Sequence, residues 1–419
     1  MVKKLQNKPL VVIFFTVFLD LIGFGILMPI IPVLVADPHS PFYILPATFT
    51  LKQAYMILGL LLAIFPICQF FTAPIFGQMS DKFGRKRLLI ITLAGTFLSY
   101  ILFAIAVATK IIPLLFFARI IMGLTGGNIG IALAAIADVT KPENRAKNFG
   151  LVGAAFGLGS VFGPFIGGKL SDPTVISWFT SATPFWFTAL LSLINLLMLI
   201  WIFPETNKLK RVDLKIDWGQ ALRNIIHVYG LKAFRPVFGT LFLFDAGFGF
   251  YATFMSVFLI NRFGYTQGNI GDFFMYTGVW IVITQVLIIR KISIWFKDYQ
   301  VLKLTFFIMA LALLFYLLAE TTLHLLIISP FLMISVGLAR SFVNALVSRS
   351  AGANVQGEVM GISSSVSFLA QSLPPILSGL IAAEIATQAP IYVAAGVLIA
   401  AGIVFNVLYK PPTKPVITK

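Results

Sequence analysis

Apolar residues dominate this chain in long runs, and short polar segments separate each run from the next. A helix of about 20 residues crosses the roughly 30 Å hydrocarbon core of a bilayer, so each run predicts one membrane-spanning helix. The pattern predicts twelve such helices, named TM1 to TM12, at 9–36, 51–79, 88–109, 111–139, 148–171, 183–203, 236–262, 267–290, 302–319, 324–348, 358–383 and 389–409. We therefore expect an all-α membrane protein.

The composition agrees with a membrane protein. Of the 419 residues, 59% are hydrophobic and only 11% are charged, and the mean hydropathy is +0.96. A soluble protein of this length would carry far more charge on its surface. The single cysteine, Cys68, excludes an internal disulfide, and the three histidines fall in loops or at a helix end. We expect neither a metal nor a cofactor.

The chain has a net charge of +16, but its cations are not gathered in one tail or patch. With the N-terminus in the cytoplasm, most of the 31 Lys and Arg residues fall at cytoplasmic helix ends. An excess of Lys and Arg in short cytoplasmic loops sets the orientation of a membrane protein. The basic residues are therefore an orientation signal and not a binding one. We predict that both termini are cytoplasmic, that the protein is embedded in the lipid bilayer, and that it binds no nucleic acid.

The longest polar stretch divides six helices from six. It predicts an N-terminal half at 1–203, a cytoplasmic linker at 204–235, and a C-terminal half with a short tail at 236–419. Three TM5 residues recur in TM11 at one constant spacing, namely Gly150, Pro164 and Gly168 against Gly361, Pro375 and Gly379. Duplicated halves place a substrate site between them near the bilayer midplane, and rocking of the halves gives alternating access.

Charged residues inside the predicted helices indicate coupled transport. Such a residue costs about 2.5–3.5 kcal/mol at a helix centre, which makes it a functional candidate. Because a carboxyl with alternating access to water can load and unload a proton, we predict Asp20 of TM1 as the coupling group, with Arg119 of TM4 tuning it. Asp20 could instead only hydrogen-bond an unwound backbone, and Arg119 could form a structural pair with Asp20 or Asp245. For Asp245 of TM7, proton coupling and a structural pair with Arg340 are equally open.

A dense charged turn joins TM2 to TM3 with the sequence Gly77-Gln-Met-Ser-Asp81-Lys-Phe-Gly84-Arg85-Lys86-Arg87. Its glycines should let two helices approach closely and permit a tight reversal. A positive-inside loop would explain the cations, but not the two glycines and the aspartate at this spacing. The pattern resembles the loop between helices 2 and 3 of the major facilitator superfamily. This resemblance implies two pseudo-symmetric six-helix halves and a secondary transporter, not an enzyme.

The resemblance also makes this turn part of a cytoplasmic gate. The gate residues would be Gly77, Asp81, Gly84, Arg85, Lys86, Asp138 and Arg145. In this gate Asp81 is expected to lock against the N-terminus of TM11 near Glu358. Free N–H groups and the positive end of the helix dipole attract an anion there.

TM5 is rich in glycine and ends in the order Gly-Pro-x-x-Gly-Gly. Glycines spaced by four let helices pack backbone to backbone, and an ordinary packing face of small residues is the alternative interpretation. The order resembles the antiporter motif of exporting members of the superfamily. Its residues here are Gly159, Gly163, Pro164, Gly167 and Gly168. The resemblance favours export over uptake.

The first half resembles one group of the superfamily in particular. Arg119-x-x-x-Gly123-x-x-Gly126 is similar to the TM4 signature linked there to proton transfer, and the stretch 20–32 resembles twelve-helix drug:proton antiporters, closest to the tetracycline efflux group. That group typically carries an acid in TM3 and a His and an acid in TM8 and TM9. Here TM3 has Ser99, and TM8 and TM9 lack these residues, which argues against tetracycline as the cargo.

The substrate cavity is predicted to be apolar and aromatic with a few polar groups, which suits amphipathic organic compounds. Its candidate residues are Phe24, Gln69, Phe248, Tyr251, Tyr276, Trp280, Gln285, Asn344 and Gln371. With 42 phenylalanines in the chain, most aromatic side chains must simply face lipid or other helices.

These features predict a monomeric transporter of the bacterial cytoplasmic (inner) membrane that exports a small drug or metabolite in exchange for protons. Proton-coupled uptake of a small metabolite shares every feature except the ending of TM5. A multi-pass membrane enzyme would need a cluster of His, Asp or Ser at a membrane boundary, and none is apparent. A membrane protein without transport activity would leave the buried charges unexplained.

Overall fold

The computed structural model describes residues 8–140, 145–207, 215–230, 235–349 and 356–410. Inside these ranges, side chains are described except for those of Lys8, 145–147, 149–151, 229–230, Arg349 and 356–358. The described chain consists of helices and their connections, without strands.

Twelve long helical stretches lie in the described chain, in the predicted order. They are Lys8–Ala36 (TM1), Leu51–Phe83 (TM2), Arg85–Thr109 (TM3), Ile112–Thr125 with Asn128–Val139 (TM4), Arg145–Leu170 (TM5), Thr183–Ile202 (TM6), Arg235–Phe263 (TM7), Gln267–Ile283 continuing through Thr284–Ile288 and Ile289–Trp295 (TM8), Asp298–Leu318 (TM9), Thr322–Arg349 (TM10), Gln356–Glu384 (TM11) and Ala389–Leu408 (TM12). Within the described ranges, eleven of them are long and apolar enough to cross a membrane. TM5 is the twelfth, and its 26 residues would reach about 39 Å as a helix.

The reversal between TM2 and TM3 is much shorter than predicted. TM2 continues to Phe83 and TM3 begins at Arg85, so Gly84 alone turns the chain. Its φ of +106° lies in a region that residues with a Cβ atom rarely adopt. The charged residues expected in a loop therefore extend the two helices instead.

Two helices contain interruptions that were not predicted. TM4 consists of two segments, which Gly126 and Gly127 separate. TM8 contains a π-helical turn at Thr284–Ile288. Such turns are rare and occur frequently at functional sites. The turn includes Gln285, one of the predicted cavity residues.

The helices form two compact units. One comprises Met1–Phe49, Ile67–Gln220 and Tyr265–Met275, and the other comprises Thr50–Pro66, Ala221–Gly264 and Tyr276–Lys419. The first part of TM2 belongs to the second unit and the start of TM8 belongs to the first. The boundaries of the halves at 203 and 236 stay a prediction.

In the first unit, TM5 and the start of TM8 approach each other backbone to backbone. A Cβ atom added to Gly271 would lie 2.8 Å from the carbonyl oxygen of Pro164 and 3.1 Å from the Cα atom of Gly168. Larger side chains at these positions would separate the two helices.

The second unit repeats this contact between TM11 and the first part of TM2. A Cβ atom added to Gly59 would lie 2.4 Å from the carbonyl oxygen of Pro375 and 3.2 Å from the Cα atom of Gly379. The proline and glycine of TM11 are the two that match those of TM5 in the sequence repeat. The same residue pair therefore makes the same contact in each unit, which supports an internal duplication.

Many large apolar side chains remain exposed on the helices, among them those of Trp201, Leu318 and Ile385. Extensive exposed apolar surface marks an interaction site, and in a chain with this many spanning helices the natural partner is lipid.

A short linker helix, Gln220–Gly230, precedes TM7. The amide of Asn224 is buried and donates to the hydroxyl of Ser365 in TM11 at 2.9 Å, which attaches this helix to the second unit. Leu222 and Ile226 remain exposed on the linker helix.

Candidate functional site

Asp20, the predicted coupling group, is bound to a neutral side chain. Its carboxylate accepts a hydrogen bond from Asn128 Nδ2 in TM4, and Asn128 itself is buried. The side chain of Asp20 keeps partial accessibility. Because TM1 is a continuous helix from Lys8 to Ala36, the alternative in which Asp20 bonds an unwound backbone is wrong in this structure.

The break in TM4 places Asn128 at this position. The buried Gln69 of TM2 donates from Nε2 to the carbonyl oxygen of Gly126 at 2.8 Å. A Cβ atom on Gly126 would lie 2.5 Å from that nitrogen, so the contact requires glycine. Gln69, predicted for the substrate cavity, thus holds the break after which Asn128 begins a new helical segment. The sequence signal that was overlooked is Gly126-Gly127-Asn128 inside an apolar run.

A small polar pocket adjoins Asp20 inside the first unit. It is lined by Leu19, Asp20, Thr96, Tyr100, Thr188, Ser192 and Asn195. The last three come from TM6 at positions i, i+4 and i+7, which share one face of a helix. This polar spacing lies in an otherwise apolar helix and is a signal that the sequence itself carries.

Arg119 is buried in the first segment of TM4, and its Nη1 atom lies 3.6 Å from the sulfur of Met122. Tyr100 of TM3 interacts electrostatically with both Arg119 and Asp20. Both groups thus lie near Tyr100, while the hydrogen-bond partner of Asp20 is Asn128. That Arg119 tunes proton uptake by Asp20 stays a prediction.

Asp245 and Arg340 form an ion pair between TM7 and TM10. Asp245 Oδ1 lies 2.7 Å from Arg340 Nη1, and the aspartate side chain is fully buried while 36% of the arginine side chain is exposed. The guanidinium also lies over the ring of Phe244, 5.0 Å from its centroid. Of the two interpretations of Asp245, the pair with Arg340 is therefore present in the structure.

The predicted cavity residues differ in their surroundings. Phe24 and Asn344 are exposed, and Phe248, Trp280, Gln285 and Gln371 are partly buried. Tyr276 donates to the carbonyl oxygen of Leu326 at 2.9 Å. Tyr251 is 2% exposed and stacks on Tyr316 within the second unit, which gives a lining role for it no support. No group of three His, Cys, Asp or Glu side chains in the described ranges could hold a metal ion.

Arg85 connects the ends of TM2 and TM4. Its Nη2 atom lies 2.5 Å from Asp81 Oδ1, its Nε atom lies 3.1 Å from Asp138 Oδ2, and its Nη1 atom donates to the hydroxyl of Ser80. Three of the predicted gate residues are thus brought together. Because bidentate and multiple contacts fix the planar guanidinium, the cluster holds these helix ends in one geometry.

Other gate predictions have different outcomes. Among the described residues, a Cβ atom on Gly77 would meet nothing within 4 Å, and the close helix approach expected at this glycine stays a prediction. The side chains of Arg145 and Glu358 lie outside the described residues. The lock between Asp81 and TM11 stays a prediction.

Glu205 caps TM3 and was not predicted as a site residue. Its carboxylate accepts hydrogen bonds from the backbone N–H groups of Arg85 at 2.9 Å and Lys86 at 3.3 Å. The first N–H groups of a helix lack partners within it, and an anion is favourable at that end. A Cβ atom on Gly84 would lie 2.3 Å from Glu205 Oε2, so this glycine also makes room for the cap. The available signal was an acid directly after the end of TM6.

The TM5 motif packs on the backbone of TM1. Gly159, Gly163 and Gly167 repeat every four residues and face TM1. A Cβ atom on Gly163 would lie 2.8 Å from the carbonyl oxygen of Ile22, and one on Gly167 would lie 2.8 Å from that of Ile26. The last glycine of the motif faces TM8. The motif is therefore a packing face against two different helices, one of which carries Asp20.

Gly163→Ala is expected to destabilise the protein, because its methyl group would meet TM1 backbone atoms that cannot rotate away. Overpacking of this kind costs about 1–3 kcal/mol. Gly153→Ala is the matched control in the same helix, since a Cβ atom there meets no atom of the described residues within 4 Å. Thermal unfolding of both purified variants in detergent measures the difference. Equal unfolding midpoints would contradict this account of the motif.

Comparison with known proteins agrees with this architecture. Residues 13–375 match the sequence profile of the Major Facilitator Superfamily. The chain is 28% identical over 375 residues to the class H tetracycline resistance protein of Pasteurella multocida, covering 89% of this chain and 88% of that one. It is 28% identical over 427 residues to multidrug resistance protein 1 of Bacillus subtilis, and it is 25% identical over 407 residues to the quinolone resistance protein NorA of Staphylococcus aureus, with 97% of each chain covered in both cases.

Solved structures share the fold. The human organic anion transporter MFSD10 (TETRAN) has a TM-score of 0.72 at 20% identity, covering 96% of this chain and 99% of its own. A D-xylose–proton symporter has a TM-score of 0.77 at 16% identity, covering 97% of this chain and 98% of its own. At such identities the likeness concerns the fold alone. Since the profile match spans most of the chain, the protein is a member of the Major Facilitator Superfamily of membrane transporters.

Proposed function

We propose that the protein is a secondary active transporter that exports small amphipathic organic compounds, either drugs or metabolites, in exchange for protons. The observation that carries this proposal is the placement of Asp20. A carboxylate inside a membrane helix is costly unless it has a function or a charged partner. Here its hydrogen-bond partner is the neutral amide of Asn128. In the part of the chain that the structure describes, no cation is paired with this carboxylate, and proton uptake would neutralise it.

The direction of transport is inferred from TM5 and from the relatives. The glycine motif of TM5 packs tightly on TM1, the helix that carries Asp20. The order of these residues resembles the antiporter motif of exporting members of the superfamily, which favours exchange of proton and substrate over joint passage. The relatives named above are resistance proteins, and their names support export of organic compounds.

Proton-coupled uptake is the second candidate. The observation in its favour is that a D-xylose–proton symporter has the same fold. Fold does not determine function, however, and the sequence relatives agree with export. The direction of substrate movement under a known proton gradient separates the two.

The further details of the proposal follow from the sequence. The halves 1–203 and 236–419 alternate access to a site that includes Phe24, Phe248, Tyr276, Trp280, Gln285, Asn344 and Gln371. The protein acts as a monomer in a bacterial cytoplasmic membrane with both termini inside, since most Lys and Arg residues then fall at cytoplasmic ends. The cluster around Arg85 then lies on the cytoplasmic side.

Transport by inverted membrane vesicles tests this function. Respiration acidifies the vesicle interior, and a fluorescent weak base reports the gradient. Addition of an exported compound should release part of the gradient, and the compound should accumulate inside. A panel of cationic, anionic and neutral amphipathic compounds finds the substrate class. Substrate that leaves preloaded vesicles together with protons would identify an uptake symporter instead.

A further inference from the structure

TM6 lines the pocket beside Asp20 with polar side chains, and some of their polar atoms have no hydrogen-bond partner among the described residues. The hydroxyl of Thr188 is satisfied, because it donates to the carbonyl oxygen of Pro184 at 2.6 Å. Ser192 Oγ is buried and has no hydrogen-bond partner among the described residues. The two residues thus line the same pocket, but the hydroxyl of Thr188 has a hydrogen-bond partner and the hydroxyl of Ser192 does not.

Asn195 is 1% exposed, and its Oδ1 atom competes with the carbonyl oxygen of Val12 for the hydroxyl hydrogen of Thr16. Thr16 Oγ1 lies 2.9 Å from the carbonyl oxygen of Val12 and 3.1 Å from Asn195 Oδ1. A hydroxyl has a single hydrogen to donate. When that hydrogen goes to Asn195, Nδ2 has no partner, as in the structure. When it goes to Val12, the amide can turn so that Nδ2 donates to Thr16, and then Oδ1 has no partner.

A native protein rarely leaves buried polar atoms unpaired, since such atoms lose the hydrogen bonds they would make to water. The pocket has no room for a water molecule. A side chain that lines the pocket can supply the partner that Ser192 and Asn195 lack. Asp20 lines it and changes its hydrogen-bonding capacity on protonation, because a carboxylate only accepts whereas a carboxylic acid also donates.

We propose that Ser192 and Asn195 are positioning residues for the protonated form of Asp20. Asn128 donates to the carboxylate when Asp20 is ionised. When a proton from water is added to one carboxylate oxygen, the new O–H group shares its hydrogen between Asn195 Oδ1 and Ser192 Oγ, so that each acceptor stabilises the protonated form. When the proton returns to water, Asp20 again only accepts, and its hydrogen bond is the one from Asn128. This inference rests on the proposed role of Asp20 in proton coupling.

Few charged groups face Asp20 from the helices around it. Tyr100 of TM3 interacts electrostatically with Asp20, and the same tyrosine is coupled to Arg119 of TM4. TM5 between 153 and 168 and TM6 between 183 and 202 carry no titratable residue. Removal of Asn128 or Asn195 therefore changes a hydrogen bond to Asp20 without removing a charge.

The test measures the protonation of Asp20 directly. Dicyclohexylcarbodiimide reacts with protonated carboxyl groups in apolar surroundings. The purified full-length protein in detergent is labelled over a range of pH without substrate or gradient, and mass spectrometry quantifies the modified peptide that contains Asp20. The readout does not depend on transport, so its failure is distinguishable from failure of the proposed function.

Asn195→Leu should move the half-labelling point to lower pH by about 0.5–1 unit, the equivalent of one hydrogen bond. Ser192→Ala should move it in the same direction. Asn128→Ala should move it to higher pH, since the carboxylate loses its donor. Thr188→Val, the matched control, should leave it in place because that hydroxyl is already satisfied by TM6.

Opposite shifts for the two asparagine variants support the proposal. An unchanged half-labelling point in Asn195→Leu, or equal shifts in Asn195→Leu and Thr188→Val, would overturn it. If Asn195→Leu fails to fold, Ser192→Ala decides, and an unchanged point there also overturns the proposal.

Discussion

Asp20→Asn is expected to abolish proton-driven accumulation of substrate in inverted vesicles. The asparagine side chain has the same shape and still offers an oxygen to Asn128, so the local packing and the observed hydrogen bond can persist. What it loses is the ability to take up a proton. Accumulation against a gradient should fall to the level of vesicles without the protein, and substrate addition should no longer release the proton gradient.

The same variant should retain exchange that needs no energy. Vesicles preloaded with unlabelled substrate should still take up labelled substrate by counterflow, because this process requires alternating access but no net proton movement. Asp20→Glu is the matched control, since it keeps a titratable carboxyl. Accumulation by Asp20→Asn at the level of the unchanged protein would show that another group couples transport to protons.

Arg340→Met is expected to destabilise the second unit by about 3–5 kcal/mol. The side chain of Asp245 is fully buried and lies 2.7 Å from the arginine. Removal of the cation leaves a buried carboxylate without its partner, which is the costly way to break such a pair. Thermal unfolding of the purified variant in detergent measures the loss.

Asp245→Asn should cost less than Arg340→Met. The guanidinium that it leaves behind keeps 36% of its side chain exposed and lies over the ring of Phe244. Partial solvation and the aromatic face both stabilise an unpaired cation. The double variant should be more stable than Arg340→Met alone. If Asp245→Asn were as unstable as Arg340→Met, the expected difference between the two variants would be contradicted. Loss of transport in Asp245→Asn without loss of stability would favour a coupling role for Asp245.

The helices and their order could be predicted because each buries a long apolar run in lipid, a property of local sequence. The helix ends were less predictable. The charged residues from 77 to 87 predict a loop, yet they are helical on both sides of Gly84. The positive φ of this glycine and the carboxylate of Glu205 allow the one-residue reversal. The cap comes from a residue more than a hundred positions away, which a local pattern cannot reveal.

The candidate site was predictable where charge was involved. Few charges can remain in a membrane interior, so Asp20, Arg119 and Asp245 were evident, and Arg340 was identified as a partner. Neutral partners were missed. An asparagine or serine in an apolar helix is common, and its importance depends on which helices are neighbours in three dimensions. The pocket next to TM6 is therefore a result of tertiary packing that the sequence alone did not reveal.

The π-helical turn of TM8 changes which residues share a face of that helix. Five residues, Thr284–Ile288, complete a wider turn than an α-helix has. A helical wheel drawn with 3.6 residues per turn from Gln267 onward will therefore assign Ile289–Trp295 to the wrong side. Substitutions there should be chosen by counting from Ile289. Deletion of one residue from the turn would rotate Ile294 and Trp295, which are both exposed, away from their present direction. Replacement of a residue in the turn would not.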